Sequence, residues 1–151
     1  KDAEKLCSQW GGHFALKGIM SVEDAKKAVD IGATAIMISN HGGRQLDGSV
    51  SPIDQLADIV DAVGGKIEII LDGGIRRGTH ILKALSLGAT ACSGGRLYLY
   101  ALAAFGQIGV EKALANLRNE IERDMKLMGV SKVSELNSRM IRKKTTNNIS
   151  F

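Results

Sequence analysis

Four times along this chain a short, continuous run of apolar residues gives way to a longer stretch in which apolar positions recur every three or four residues. The runs lie at 14–16, 35–39, 67–71 and 90–92. Strands that are apolar throughout, rather than at alternate positions, are those covered on both faces. Their alternation with helical segments marks parallel βα units rather than hairpins. Ser21, with Asp24 three residues on, has the form of a capping box and opens a helix that should stop at Gly32. Ser51 and Pro52 supply an N-cap and a first-turn proline for a helix whose apolar face is Ile53, Leu56, Ile59, Val60 and Val63. Thr79 is expected to cap a third helix through Ile81, Leu82 and Leu85, closed by Gly88. The fourth run leads through 97–105 into a long helix whose Val110, Leu114, Leu117, Ile121, Met125 and Met128 form a stripe expected to face the core.

A length of 151 residues suffices for one core, and the single proline leaves no obvious linker, so 1–151 reads as part of one domain. The net charge of +4 is mild, and apart from Arg139, Arg142, Lys143 and Lys144 the basic residues are scattered, which argues against a nucleic-acid partner. That basic cluster reads as a solvated terminus in preference to contact with an anionic membrane surface, and 145–151 as a loose tail. The most apolar stretch, 97–109, is broken by Gly106 and Gln107 and falls short of the roughly 20 residues of a membrane span, so no transmembrane or signal segment is expected. Cys7 and Cys92 lack metal-ligand spacing and sit where reduced, packed thiols occur. This favours a reducing, cytoplasmic setting, with membrane association the less favoured alternative. Lys1 opens the chain in what reads as the middle of a helix, so a piece of a longer protein is expected.

In parallel βα architectures ligands bind at the carboxyl ends of the strands. All four ends are unusual here: Lys17-Gly18, then Ser39-Asn40-His41-Gly42-Gly43-Arg44, then Asp72-Gly73-Gly74-Ile75-Arg76, and finally Gly94-Gly95-Arg96. Lys17 closes an apolar strand, where an ammonium needs a negative partner or must reach back to water. His41 offers a base that titrates near neutrality, although a lone histidine is more often structural. Arg44 follows on the same loop, and its guanidinium fork suits a carboxylate bidentately. The paired glycines before Arg76 and Arg96 make loops rich in backbone N–H groups that lead toward helix N-termini, which together form a phosphate cradle. Eight-stranded barrels place such a cradle after their seventh and eighth strands. Glycine-rich βα turns also arise for steric reasons alone.

Taken in order, these runs resemble the FMN-dependent 2-hydroxy acid dehydrogenase and oxidase family, which includes lactate and mandelate dehydrogenases, lactate oxidase and glycolate oxidase. The likeness extends over about 14–141. It implies an α/β fold, a (β/α)8 TIM barrel of which this chain holds about the last four βα units, and FMN as cofactor. By the same resemblance Lys17 and Ser39 contact the flavin, Asp72, Gly74 and Arg76 surround the ribityl chain and phosphate, and Gly95 and Arg96 form a second phosphate loop. His41 is implied as the proton acceptor and Arg44 as the clamp on the substrate carboxylate. The implied reaction takes a small L-2-hydroxy acid to the 2-oxo acid, with L-lactate favoured and glycolate and mandelate open. Three positions depart from the family pattern. Leu97 replaces a proline or small residue, His80 an acidic residue, and Cys92-Ser93-Gly94 is smaller and more polar than usual.

The family barrel has eight strands and this sequence supplies about four, so the first partner implied is a missing N-terminal half-barrel that carries the aspartate orienting the histidine. Homo-oligomers are also common in the family. Two readings stay open: part of an enzyme completed by that half, or a non-catalytic half-barrel module for phosphate, FMN or assembly. A third, the inosine monophosphate dehydrogenase type of barrel, shares the phosphate loops without requiring the His41–Arg44 loop.

Overall fold

The computed structural model describes residues 1–142. After helix α1 (Asp2–Trp10) the chain alternates strand and helix: β1 (Ala15–Lys17), α2 (Val22–Asp30), β2 (Ala35–Ile38), α3 (Pro52–Val63), β3 (Glu68–Asp72), α4 (Gly78–Ser86), β4 (Ala91–Ser93) and α5 (Arg96–Leu127). The four strands form one parallel sheet in the order β1-β2-β3-β4. This sequential parallel order, each strand followed by a helix, is the local architecture of a TIM barrel. Three of the strands run one residue further than the apolar runs, because Lys17, Asp72 and Ser93 pair in the ladder despite their polarity, as Lys17↔Met37 and Asp72↔Ser93. The polar strand ends are therefore fixed by sheet hydrogen bonds.

The core lies between the central strands and α3. Ile36, Ile38, Leu56, Ile59, Val63, Ile69 and Leu71 are buried essentially completely. Burying each such side chain contributes about 1.5–3 kcal/mol. Ser21 caps α2 as expected, accepting from the Asp24 N–H at 3.2 Å, while the Asp24 carboxylate turns to Lys27 at 3.0 Å instead of closing the box. Pro52 occupies the first turn of α3, behind Ser51. Thr79 does not cap α4. The helix starts two residues earlier, with Arg77 as N-cap, because Glu120 of α5 accepts from the Gly78 N–H at 2.6 Å and from Arg77 Nε at 2.6 Å. A Cβ at Gly78 would stand 2.6 Å from Glu120 Cβ, so glycine is what allows α4 and α5 to approach this closely.

The entries to β2 and β4 use the same turn. Gly32-Ala33-Thr34-Ala35 and Gly88-Ala89-Thr90-Ala91 share a sequence, and both glycines are left-handed, at φ 81 and φ 100. Both alanine N–H groups reach back into the preceding helix, Ala33 to Ala28 O at 3.0 Å and Ala89 to Ala84 O at 3.1 Å. Each threonine hydroxyl accepts from the neighbouring strand, from the Phe14 N–H at 2.8 Å and from the Ile69 N–H at 3.1 Å.

The stripe on the last helix is covered only in part. Leu117 is buried and Val110, Ile121 and Met125 are half-buried, but Leu114 is 49% and Met128 39% exposed. Among the described elements α5 packs chiefly on α4, and one neighbour covers one side of a helix 32 residues long. The same helix bends where Phe105 (φ −144) and Gly106 (φ 59) leave helical geometry, close to the interruption expected from Gly106 and Gln107. Cys7 and Cys92 are unbridged, and burial pushes the Cys92 thiol up to about 11, as for an inert, packed cysteine. Among the described residues no helix is long and apolar enough to cross a membrane. Lys143, Lys144 and the tail 145–151 lie outside the described residues.

Candidate active site

The sheet register brings three of the polar strand ends into one hydrogen-bonded group. Lys17 Nζ forms an ion pair with Asp72 Oδ2 and donates to Ser39 Oγ at 2.9 Å, while Ser39 Oγ donates to Asp72 Oδ2 at 2.6 Å. Lys17 thus finds the negative partner that an ammonium at an apolar strand end requires. Burial would raise the Asp72 carboxyl, but hydrogen bonds from Lys17, Ser39 and Ser93, together with the Lys17 charge, outweigh it and hold the group below its ordinary 3.8.

His41 follows directly, in an unusual backbone conformation. Its φ of 56 is the only left-handed value at a non-glycine residue among those described, and Gly42 and Gly43 continue it at φ 72 each. Three bonds hold the turn: the His41 N–H donates to Ser39 Oγ at 3.1 Å, the Gly42 N–H to Asn40 Oδ1 at 3.0 Å and the Gly43 N–H to Asn40 O at 3.0 Å. A non-glycine residue held left-handed costs about 1–2 kcal/mol, and such strain collects where a side chain must be aimed. The imidazole lies over Gly18, where a Cβ would come within 3.1 Å of Cε1 and 3.7 Å of Nε2. Among the described residues no carboxylate is hydrogen-bonded to the ring.

Arg96 ties the last loop to this one by donating from Nη2 to Gly42 O at 3.0 Å. A cleft of about 400 Å³ results, lined by Lys17, His41, Arg44, Asp72, Gly74, Arg76, Gly95 and Arg96. All but one of the residues singled out from the sequence therefore meet in one place. The exception is Ser39, which is 1% exposed and sits beneath the cleft, its hydroxyl engaged with Lys17, Asp72 and the His41 N–H.

Gln45, Ile75, Ser93, Leu97 and Leu99 also line the cleft and were not singled out as site residues. Ser93 and Leu97 did show as departures from the family pattern. Asn40, which builds the His41 turn, was legible only as an Asx-turn former.

Lys17, Arg44, Arg76 and Arg96 face this space against the single carboxylate of Asp72, so the cleft suits an anion. The two candidate phosphate loops differ. The first N–H of α4 is already taken by Glu120, whereas the N-terminus of α5, with Gly95 as N-cap, has no side-chain cap. Bare helix N-terminal N–H groups beside an arginine fit a phosphate ester, and the size of the cleft is ordinary for a cofactor site.

The sequence profile of the FMN-dependent dehydrogenases matches residues 1–143. The chain is 49% identical over 136 residues to the pre-mycofactocin synthase of Mycolicibacterium smegmatis, covering 90% of this chain and 34% of that protein. It is 50% identical over 125 residues to the L-lactate oxidase of Nostoc sp., covering 83% and 34%. Among solved structures, mandelate oxidase with benzoyl-formic acid superposes with a TM-score of 0.84 at 47% identity, over 89% of this chain and 40% of that one. The chain therefore spans about a third of the length of these curated relatives.

Proposed function

This chain belongs to the FMN-dependent dehydrogenase family, and on that premise we propose that it carries the proton-accepting and anion-binding part of a site that oxidises a small L-2-hydroxy acid, L-lactate for preference, to the 2-oxo acid. In this reading residues 1–151 are the C-terminal portion of one barrel domain, completed by a further half-barrel. The observation that carries it is the convergence of His41, Arg44 and both glycine–arginine loops on one cleft.

Arg44 binds the substrate carboxylate through its fork. His41, aimed by its left-handed backbone across Gly18, takes the hydroxyl proton on a ring nitrogen. Gly74, Arg76, Gly95 and Arg96 would hold the phosphate of FMN, with Asp72 toward its ribityl chain and Lys17 toward the ring, while Ser39 would act from beneath by fixing Lys17. FMN would supply the two-electron acceptor, to which the α-hydrogen would pass with its electron pair while His41 holds the hydroxyl proton. Lys17, fixed by Asp72 and Ser39, keeps a positive charge beside the space where negative charge develops. The names of the lactate and mandelate relatives support a 2-hydroxy acid, and the likeness to pre-mycofactocin synthase makes a substrate panel necessary.

The test is anaerobic mixing of the FMN-supplemented protein with L-lactate, glycolate or mandelate while the absorbance of oxidised flavin is followed. Bleaching that disappears in His41→Ala is the expected result, with a loss of at least about 10²-fold in rate, as for removal of a general base. FMN binding without bleaching by any of the acids would instead support a non-catalytic flavin or phosphate module.

A further inference from the structure

The loop that carries His41 and Arg44 leaves the sheet after β2 and returns at α3, and one side chain holds both of its ends. Asn40 Oδ1 accepts from the Gly42 N–H at 3.0 Å, and Asn40 Nδ2 donates to Val50 O, 10 residues on, at 3.3 Å. A carboxamide accepts at one end and donates at the other. Each end here meets a backbone group of the opposite kind, which settles the orientation of the amide. Val50 stands just before Ser51 and Pro52, where α3 begins. The loop after β3 packs into the same corner: a Cβ at Gly73 would stand 3.0 Å from Pro52 Cγ and 3.8 Å from Asn40 Oδ1. Arg96 holds the Gly42 carbonyl, so both polar groups of Gly42 are engaged.

We infer that Asn40 is a positioning residue for both working groups of the proposed site. Its Oδ1 fixes the turn that aims His41, and its Nδ2 closes the base of the loop that carries Arg44. One side chain therefore sets the base and the carboxylate clamp relative to each other. The inference rests on the reading of His41 as proton acceptor and Arg44 as clamp. Other side chains of this size do only half of the work. Aspartate, when ionised, accepts but cannot donate, and a serine hydroxyl can accept from Gly42 but is too short to reach Val50 as well. A loop released at its base samples more conformers, and a displacement of about 1 Å in a group that grips substrate can cost about 10²-fold in rate.

The test compares the wild type with N40S, N40D and N40A in the full chain, matched by circular dichroism and melting. Amide hydrogen exchange reads the two ends of the loop separately. The Gly42 N–H is expected to exchange about fivefold faster in N40A alone, the weight of one hydrogen bond, and the amides of 44–50 to exchange faster in all three variants. Flavin bleaching by L-lactate in the FMN-loaded protein supplies the second readout. N40S and N40D should raise the half-saturating lactate concentration about fivefold and leave the saturating rate within about twofold, whereas N40A should also lower the saturating rate about tenfold. N40S adds no charge, so agreement between it and N40D excludes an effect of the aspartate charge. Equal Gly42 exchange in N40A and the wild type, or a saturating rate in N40S as low as in N40A, would overturn the inference. A wild type that does not bleach with lactate, glycolate or mandelate would overturn the reaction itself, and the exchange pattern would then report only the hold of Asn40 on its loop.

Discussion

At the scale of single residues, the site is organised by one strained backbone and one charged triplet. The left-handed φ of His41 is compatible with function only because Ser39 and Asn40 hold the turn. His41→Gly should therefore stabilise the fold by about 1 kcal/mol and, under the proposed role of His41 as base, abolish the bleaching of bound FMN by a 2-hydroxy acid, and a melt beside that assay reads both. The Asp72 carboxyl, held below 3.8, contributes stability that is fully present above that value and is lost as the pH falls through the lower folded one. Thermal melts of the wild type against Asp72→Asn should show the wild-type advantage shrinking only once the pH drops below 3.8. Lys17, His41, Arg44, Asp72, Arg76 and Arg96 were legible in the sequence because a polar residue closing or following an apolar strand has few places to go. The burial of Ser39 was not, since it depends on β2 and β3 pairing so that Asp72 comes within reach of its hydroxyl.

At the scale of elements, the helices came close to expectation wherever the signal was local. Ser21, Pro52 and the glycines after α2 and α4 bound their helices as their own chemistry requires. The start of α4 escaped because its cap comes from Glu120, 42 residues away, and no local pattern at Thr79 records that. The stripe on α5 shows the same limit: periodicity says which face is apolar, and only a neighbour says how much of it is covered. A polar counterpart lies between α4 and α5, where buried Ser86 Oγ and Asp124 Oδ2 have no hydrogen-bond partner among the described residues, beside a cavity of about 190 Å³. A buried hydroxyl without a partner costs about 1–3 kcal/mol, so Ser86→Ala should raise stability by about 1 kcal/mol in chemical denaturation, with the m-value unchanged. A loss of stability would mean that the hydroxyl is bonded after all.

At the scale of the molecule, β1 and β4 are each paired on one side only among the described strands, and α5 exposes Leu99, Tyr100, Leu102, Phe105 and Ile108. Open strand edges and a broad apolar face promote association. The purified chain should therefore sediment with a mass that rises with concentration, and a complementary half-barrel should suppress that rise. Sedimentation as a monomer at all concentrations would show that these surfaces are too weak to pair. The parallel α/β architecture was legible from the alternation of runs alone, because the strands are apolar on both faces. Its completion was legible only through the resemblance to a family, because what lies across an open edge leaves no trace in the residues on this side of it.

The twin Gly-Ala-Thr-Ala turns reach beyond this one chain. Each delivers a helix into a strand through the same backbone path, with the same three anchors, wherever the units before and after it happen to differ. A genetic crossover within either tetrapeptide would join the helix of one unit to the strand of another without altering the turn. The chain thus carries two ready-made splice points at which barrel units could be exchanged, duplicated or grafted.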